Sequence, residues 1–214
     1  ANGMPRSEGS AMPDVVLLGG GGHCRALIDV LEAVGMPVAG VVHGADCPLE
    51  PVLGYPPLGR DADLPSLRRR FRRALVSVGQ IKTAAVRRRL FALLLELGFE
   101  APALRSPLAR VSAHAVVGRG AVIMHHALVN AGARIGENCI INTSALVEHD
   151  CVVEDHCHIA VGAVLCGGVR VAEGAFIGAG SVCREGVRIG AGALVGCGSV
   201  VLRDVPAGAV ITGR

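Results

Sequence analysis

From Ala109 to Asp204 the chain reads ARVSAH AVVGRG AVIMHH ALVNAG ARIGEN CIINTS ALVEHD CVVEDH CHIAVG AVLCGG VRVAEG AFIGAG SVCREG VRIGAG ALVGCG SVVLRD, sixteen hexads without a gap. The third place is Val, Ile or Leu in fifteen of them, Cys183 being the exception, and the first place is always Ala, Cys, Ser or Val. One bulky and one small inward position in every six residues describe a short strand followed by a turn. Each hexad is then one face of a triangular prism and three make a coil. The array therefore predicts a left-handed parallel β-helix of hexapeptide repeats, a little over five coils long. Cys139, Cys151 and Cys157 fall in the small inward place, where a thiol acts as a modest hydrophobe.

Working outward from the array, the composition fits the same interior. Of 214 residues 51% are apolar, yet there is no Trp, one Tyr and four Phe against 30 Gly. Stacked files of small aliphatics need no aromatic bulk. The formal charge of +3 implies no partner. Two basic runs, Arg68-Arg69-Arg70-Phe71-Arg72-Arg73 and Arg87-Arg88-Arg89, lie in stretches that read as partly helical. They are open between solvated helix faces and a phosphate-facing or inter-subunit role. Without aromatic platforms beside them they make a poor case for nucleic acid. Six of the eight Cys fall within the array and no CxxC pair occurs, which suits reduced thiols in a cytoplasmic protein. No stretch is long and apolar enough to span a membrane. Residues 1–13 lack the apolar centre of a signal peptide and read as a disordered leader.

Residues 14–107 follow another grammar, and the change at Pro107 divides the chain into two domains, 14–107 and 108–214. Val15-Val16-Leu17-Leu18 reads as a buried strand, and Arg25 to Val34 as a helix stopped by Gly35. Val38 to Val42 reads as a second strand, Tyr55 to Gly59 as a turn-rich connector and Arg73 to Val78 as a third strand. A long helix follows from about Ile81 to Leu97. The order βαβ…βα predicts a small N-terminal α/β domain, a Rossmann-like parallel sheet covered by helices. Gly19 to Gly22, after a strand and opening a helix, can bring backbone N–H groups against a phosphate. No acidic residue ends the second strand, so a whole dinucleotide is a poor fit.

On the prism, His149 sits at the fifth place of its hexad, outside both inward files, with Glu148 before it and Asp150 after it. A carboxylate bonded to one ring nitrogen fixes the tautomer and raises the basicity of the other. The residues alone leave His149 open between a general base and a solvent-exposed turn histidine. Positions 18 apart stack along one face, so Ala131, His149 and Gly167 form a column. Gly167 beside the ring offers an unshielded N–H for an oxyanion, or else serves a turn that needs positive φ.

The hexad array resembles the bacterial hexapeptide acyltransferases. With Leu17-Leu18-Gly19-Gly20-Gly21-Gly22-His23, Val78-Gly79-Gln80, Asn142-Thr143-Ser144 and Glu148-His149-Asp150, it resembles their sialic-acid O-acetyltransferase-like branch. That branch includes acetyltransferases acting on nucleotide-linked 4-amino-4,6-dideoxy sugars. The resemblance implies an acetyl-CoA-dependent N-acetyltransferase on the 4-amino group of a nucleotide-linked amino-deoxy sugar, serving surface-glycan assembly. It also implies a homotrimer with the site between adjacent subunits. It makes His149 the base, Asp150 its orienting acid and Gly167 the oxyanion donor. His158, Ala179 and Cys197 become acetyl-CoA contacts, with His158 reaching a neighbour's cofactor, and Asn142 orders the site. The glycine loop becomes the nucleotide-sugar pocket, with Gly21, Gly22 and His23 near sugar and phosphates and Gly59 near base or ribose.

Two departures qualify the resemblance. Relatives using UDP-sugars often end the second strand with Asp-Asp, and this chain has Val42-His43-Gly44, leaving the carrier nucleotide open. The sequence closes on Thr212-Gly213-Arg214 where the family has Gly-x-Pro-Ala over the CoA. Alternatives are O-acetylation of a sialic-acid-like sugar, a metal-dependent β-helix lyase, and a non-catalytic scaffold. The γ-type carbonic anhydrases share the prism and bind metal through histidines, and His125-His126 with His156-Cys157-His158 raise that possibility. Their two closely spaced ligands are five residues apart, however, and position 154 here is Glu, so no metal is expected.

Overall fold

The structure is a computed structural model that describes residues 15–212. The expected leader, and Gly213 and Arg214, lie outside the described residues. β1 (Val15–Leu18), α1 (Gly22–Ala33), β2 (Val38–His43), β3 (Pro57–Arg60), α2 (Leu64–Arg68), β4 (Arg73–Val76) and α3 (Ala85–Glu96) form the N-terminal part. Its sheet has the order β3-β2-β1-β4, with every pairing parallel. β1 is apolar throughout because both its faces are covered. Val15 and Leu17 pack with α1, whereas Val16 and Leu18 pack against Leu64, Leu90 and Leu94 of the other two helices.

The strand β3 falls where the sequence reads as a connector. Proline lacks an N–H and is tolerated at the start of an edge strand, so Pro57 opens β3 without breaking a ladder. The long helix also begins later than expected, at Ala85, and α1 begins earlier, at Gly22.

From Leu104 onward, two-residue strands stack into three parallel sheets of seven, six and five strands, which fits a left-handed β-helix. The first face runs through Leu104, Val122, Ile140, His158, Phe176, Leu194 and Val210, the second through Arg110, Leu128, Leu146, Val164, Val182 and Val200, and the third through Val116, Arg134, Val152, Arg170 and Arg188. Third-place aliphatics and first-place small residues fill the interior, among them Ile123, Val147, Ile159, Leu165 and the thiols of Cys139, Cys151 and Cys157, all with at most 1% exposure. Burial pushes the Cys151 thiol up to about 11 and the Cys183 thiol to about 12. The sixth place of most hexads turns a corner at positive φ, as at Gly132 (74°), Asp150 (58°) and Gly168 (70°). Asn, Asp and His tolerate this region better than most side chains, and Asn138, Asp150 and His156 use it.

The array extends at both ends. Leu104–Arg105 adds a strand one hexad ahead of Ala109. The last coil is shortened: Val210 pairs with Leu194, a step of 16, where Leu194 pairs with Phe176, a step of 18.

The N-terminal part sits on the first face, and this buries Val122, Ile140, His158 and Phe176, which point outward from the prism. Arg87 locks the two parts together. It is 1% exposed, and its guanidinium donates to the carbonyls of Val76, Val78 and Asn138 and to Asn138 Oδ1. A charge run thus contains a buried hub, and only Arg88 and Arg89 face solvent, paired with Glu173 and Asp61. A second clasp runs from Ser106 Oγ to His125 Nδ1 (2.6 Å) and from His125 Nε2 to Asp29 of α1 (2.7 Å). No helix among the described residues is long and apolar enough to cross a membrane.

Candidate active site

Docking of the N-terminal sheet on the prism leaves a cavity of about 800 Å³ at the edge between the first and second faces. Gly21, Gly22 and His23 line it from the start of α1, Gln80 from the loop after β4, and Asn142 and His158 from the prism.

The four glycines of the loop are glycine for different reasons. A β-carbon on Gly19 would collide with Val78, and one on Gly20 would stand 2.6 Å from the His43 ring. Gly21 and Gly22 have neither constraint. No atom stands within 4 Å of a β-carbon on either, and neither has positive φ. Their openness faces the cavity, at the N-terminus of a twelve-residue helix with no side-chain cap and no acidic residue in its first turn. Backbone N–H groups so presented suit a phosphate or carboxylate.

The two cavity histidines are neutral. Burial, with Arg87 nearby, holds His23 down to about 3, and burial likewise holds His158 to about 4. His158 Nδ1 donates to the Gln80 carbonyl (2.7 Å), so Nε2 is the acceptor of a hydrogen bond from the Asn142 amide N–H (3.0 Å). Asn142 Oδ1 in turn accepts from Thr143 N (2.8 Å). Asn142 and His158 are therefore one fixed wall. His158, expected at the cofactor edge, is 7% exposed and packs edge-on to Phe176 at 5.2 Å. His23 Nε2 and Gln80 Oε1 are buried with no hydrogen-bond partner among the described residues. Gly59 is not brought to the cavity wall. Its φ is 116° and the space over it is filled by the Asp63 carboxylate, which accepts from Arg60 N.

His149 stands at the opposite edge of the second face, on the corner toward the third. Its side chain is 63% exposed, and Nδ1 lies 2.9 Å from Asp150 Oδ2. That bond raises the imidazole above its ordinary value. The column expected from the period is present, because Asp150 N donates to Ala131 O, Gly168 N to His149 O and Gly186 N to Gly167 O. A β-carbon on Gly167 would stand 2.6 Å from His149 Nε2. Gly167 is therefore glycine for the ring above it, whereas Gly168, at φ 70°, is the one that turns the corner. The Gly167 N–H has no partner among the described residues.

Ala179 and Cys197 continue an edge that begins at the cavity. Gly162 N donates to Thr143 O, Gly180 N to Val161 O and Gly198 N to Ala179 O, and Thr143 and Val161 themselves line the cavity. Val161 is 47% exposed and Cys197 is exposed, so this edge is open to a ligand lying along it. Within one chain, then, the pocket and the Ala179–Cys197 edge share one corner and His149 occupies the next. Among the described residues no group of three or more His, Cys, Asp or Glu could hold a metal ion.

No protein-family model and no curated protein matches the chain. Solved structures do. A GDP-perosamine N-acetyltransferase from Caulobacter crescentus, in complex with CoA and GDP-perosamine as a histidine-to-alanine variant, is 39% identical, with a TM-score of 0.89 over 94% of this chain and 93% of that one. The acetyltransferase domain of PglB from Neisseria gonorrhoeae, in complex with acetyl coenzyme A, is 33% identical, with a TM-score of 0.85 over 92% and 95%. WeeI from Acinetobacter baumannii is 25% identical, with a TM-score of 0.82 over 94% and 96%.

Proposed function

Because the chain belongs to the hexapeptide-repeat N-acetyltransferases of nucleotide-linked amino sugars, we propose that it transfers the acetyl group of acetyl-CoA to the 4-amino group of a nucleotide-linked amino-deoxy sugar. The amine attacks the thioester carbonyl directly. His149 Nε2 takes the proton that the nitrogen loses, the C–S bond breaks, and CoA leaves as the thiol once protonated. The amide forms with no covalent enzyme intermediate, since a thioester is already activated. Asp150 keeps the proton on Nδ1 and Nε2 basic, and the Gly167 N–H faces the charge that develops on oxygen. A positioned base contributes about 10²–10⁴-fold, and an oxyanion donor a similar share.

The observation that carries this reading is the His149–Asp150 bond of 2.9 Å together with the Nε2 face laid over Gly167. The pocket assignment rests on Gly21 and Gly22, whose missing β-carbons answer to no neighbouring atom and to no positive φ within the described chain. In this reading residues 14–107 are a small Rossmann-like nucleotide-sugar domain, residues 108–214 carry the transfer chemistry, and acetyl-CoA runs along the Ala179–Cys197 edge.

The second face supports a homotrimer. After Arg110 it presents Leu128, Leu146 and Val164, half-buried, and Val182 and Val200, exposed. The third face presents Arg134, Arg170 and Arg188 beside Val116 and Val152. Three prisms packed through their second faces would set the cavity edge of one chain beside the His149 corner of the next. That completes a site which one chain leaves divided. Eight free cysteines fit a reducing, cytoplasmic setting.

The test is CoA-thiol release from acetyl-CoA across a panel of UDP- and GDP-linked 4-amino sugars, with the product identified by mass spectrometry. An N-acetylated nucleotide-sugar is expected. Release only with hydroxyl-bearing, amine-free sugars, or with none, would overturn the reading.

A further inference from the structure

A nucleoside diphosphate brings about two negative charges into the cavity, and the α1 N-terminus supplies roughly half a positive charge. A cation is needed opposite it. His23 and His158 are neutral, for the reasons above. Arg87 lies behind the wall, 1% exposed, with both terminal nitrogens bonded to the carbonyls of Val76, Val78 and Asn138 and to Asn138 Oδ1, and Arg88 turns away to Glu173. Among the described residues lining the cavity, Arg89 is the sole lysine or arginine.

Arg89 projects from α3 with its side chain 60% exposed, and one nitrogen lies 3.0 Å from Asp61 Oδ2, itself a cavity residue. An ion pair this exposed is worth about 0–1 kcal/mol, so it positions the guanidinium without committing it. A diphosphate offers a planar fork more acceptors than one carboxylate does. We propose that Arg89 reads the diphosphate of the nucleotide-sugar across the cavity from Gly21 and Gly22, with Asp61 holding the guanidinium at the mouth until the phosphates take it over. This rests on the nucleotide-sugar reading of the cavity. It turns the loop and α3 into two jaws on one diphosphate, and it makes Arg89 a binding residue that stays clear of the transfer chemistry.

The test is isothermal titration calorimetry on the full chain with GDP, UDP, guanosine and uridine as probes, without acetyl-CoA. The variants are Arg89→Gln, Arg89→Lys and Asp61→Asn, with circular dichroism to check that each is folded. Arg89→Gln should weaken the preferred diphosphate about 10- to 100-fold, and Arg89→Lys should recover part of the loss. Affinity for the bare nucleosides should not change. Asp61→Asn should bind the diphosphate as tightly as wild type or tighter. In turnover, Arg89→Gln should raise KM for the nucleotide-sugar and leave kcat in place. Unchanged diphosphate affinity in a folded Arg89→Gln overturns the assignment alone, as does a parallel loss in Asp61→Asn, which would make the pair structural. Wild-type protein that binds neither GDP nor UDP removes the pocket reading as well.

Discussion

The imidazole of His149 lies across Gly167, so close that a β-carbon there would stand 2.6 Å from Nε2. Two neighbouring glycines therefore separate two effects. Gly167→Ala meets no backbone strain and should fold normally, yet it displaces the ring, so acetyl transfer should fall by about 10²-fold or more. Gly168→Ala has open space but sits at φ 70°, so it should lower stability by about 1–2 kcal/mol and leave His149 where it is. Melting curves and thiol release on both variants check the pair. Equal activities would remove the packing argument.

The pH profile carries a sign. Only neutral His149 can accept the proton, and the Asp150 hydrogen bond raises its pKa above the ordinary 6.5. The acidic limb of kcat/KM should therefore lie above pH 6.5 and rise as the imidazolium deprotonates. Asp150→Asn keeps a residue that tolerates the positive φ of this corner but removes the charge. Its limb should move down toward the ordinary value, with a lower plateau. A limb unmoved by that change would separate Asp150 from the base.

Arg87 should matter for folding more than its surface-like sequence suggests. In Arg87→Met the carbonyls of Val76, Val78 and Asn138 lose their donor in the interior. The loss should be on the order of 3 kcal/mol, read as a lower urea midpoint. An unchanged midpoint would contradict the role of this residue as a hub.

Assembly should depend on the second face. Val164→Arg places a charge in the middle of its aliphatic row, and sedimentation velocity should show the proposed trimer giving way to monomer, with activity lost together with it. Arg170→Ala on the third face should leave the mass unchanged. A Val164→Arg protein that keeps its mass and its turnover would place the contact elsewhere.

Much of this was legible in the sequence because a stacked solenoid repeats one constraint. Each third-place aliphatic and first-place small residue meets its counterpart 18 positions away, so the prism declares itself from Ala109 onward. The ends were less visible. The hexad ahead of Ala109 carries Arg105 in register with the inward Ile123, while Leu104 takes the outward place and packs with α1, and the last coil drops two residues at the turn before Val205. β3 was hidden because Pro57 and Gly59 read as a turn wherever the neighbouring strand is unseen. Arg87 was hidden because a run of arginines reads as surface until a partner wall closes over one of them.

The site divides along the same line. His149, Asp150 and Gly167 are close in sequence or one coil apart, so repeat arithmetic brought them together. The wall of Gln80, Asn142 and His158 depends on a bond between residues 80 and 158 across the docked parts, and no local pattern announces it. Gly59 entered only through the resemblance, and in the structure the Asp63 carboxylate fills the space over it.

The most direct test of the central claim is thiol release by His149→Ala beside wild type, with acetyl-CoA and the preferred nucleotide-linked 4-amino sugar. Binding of both substrates and the melting curve should be retained, and turnover should drop about 10²–10⁴-fold. Equal turnover in the two folded proteins would mean that some other group takes the proton.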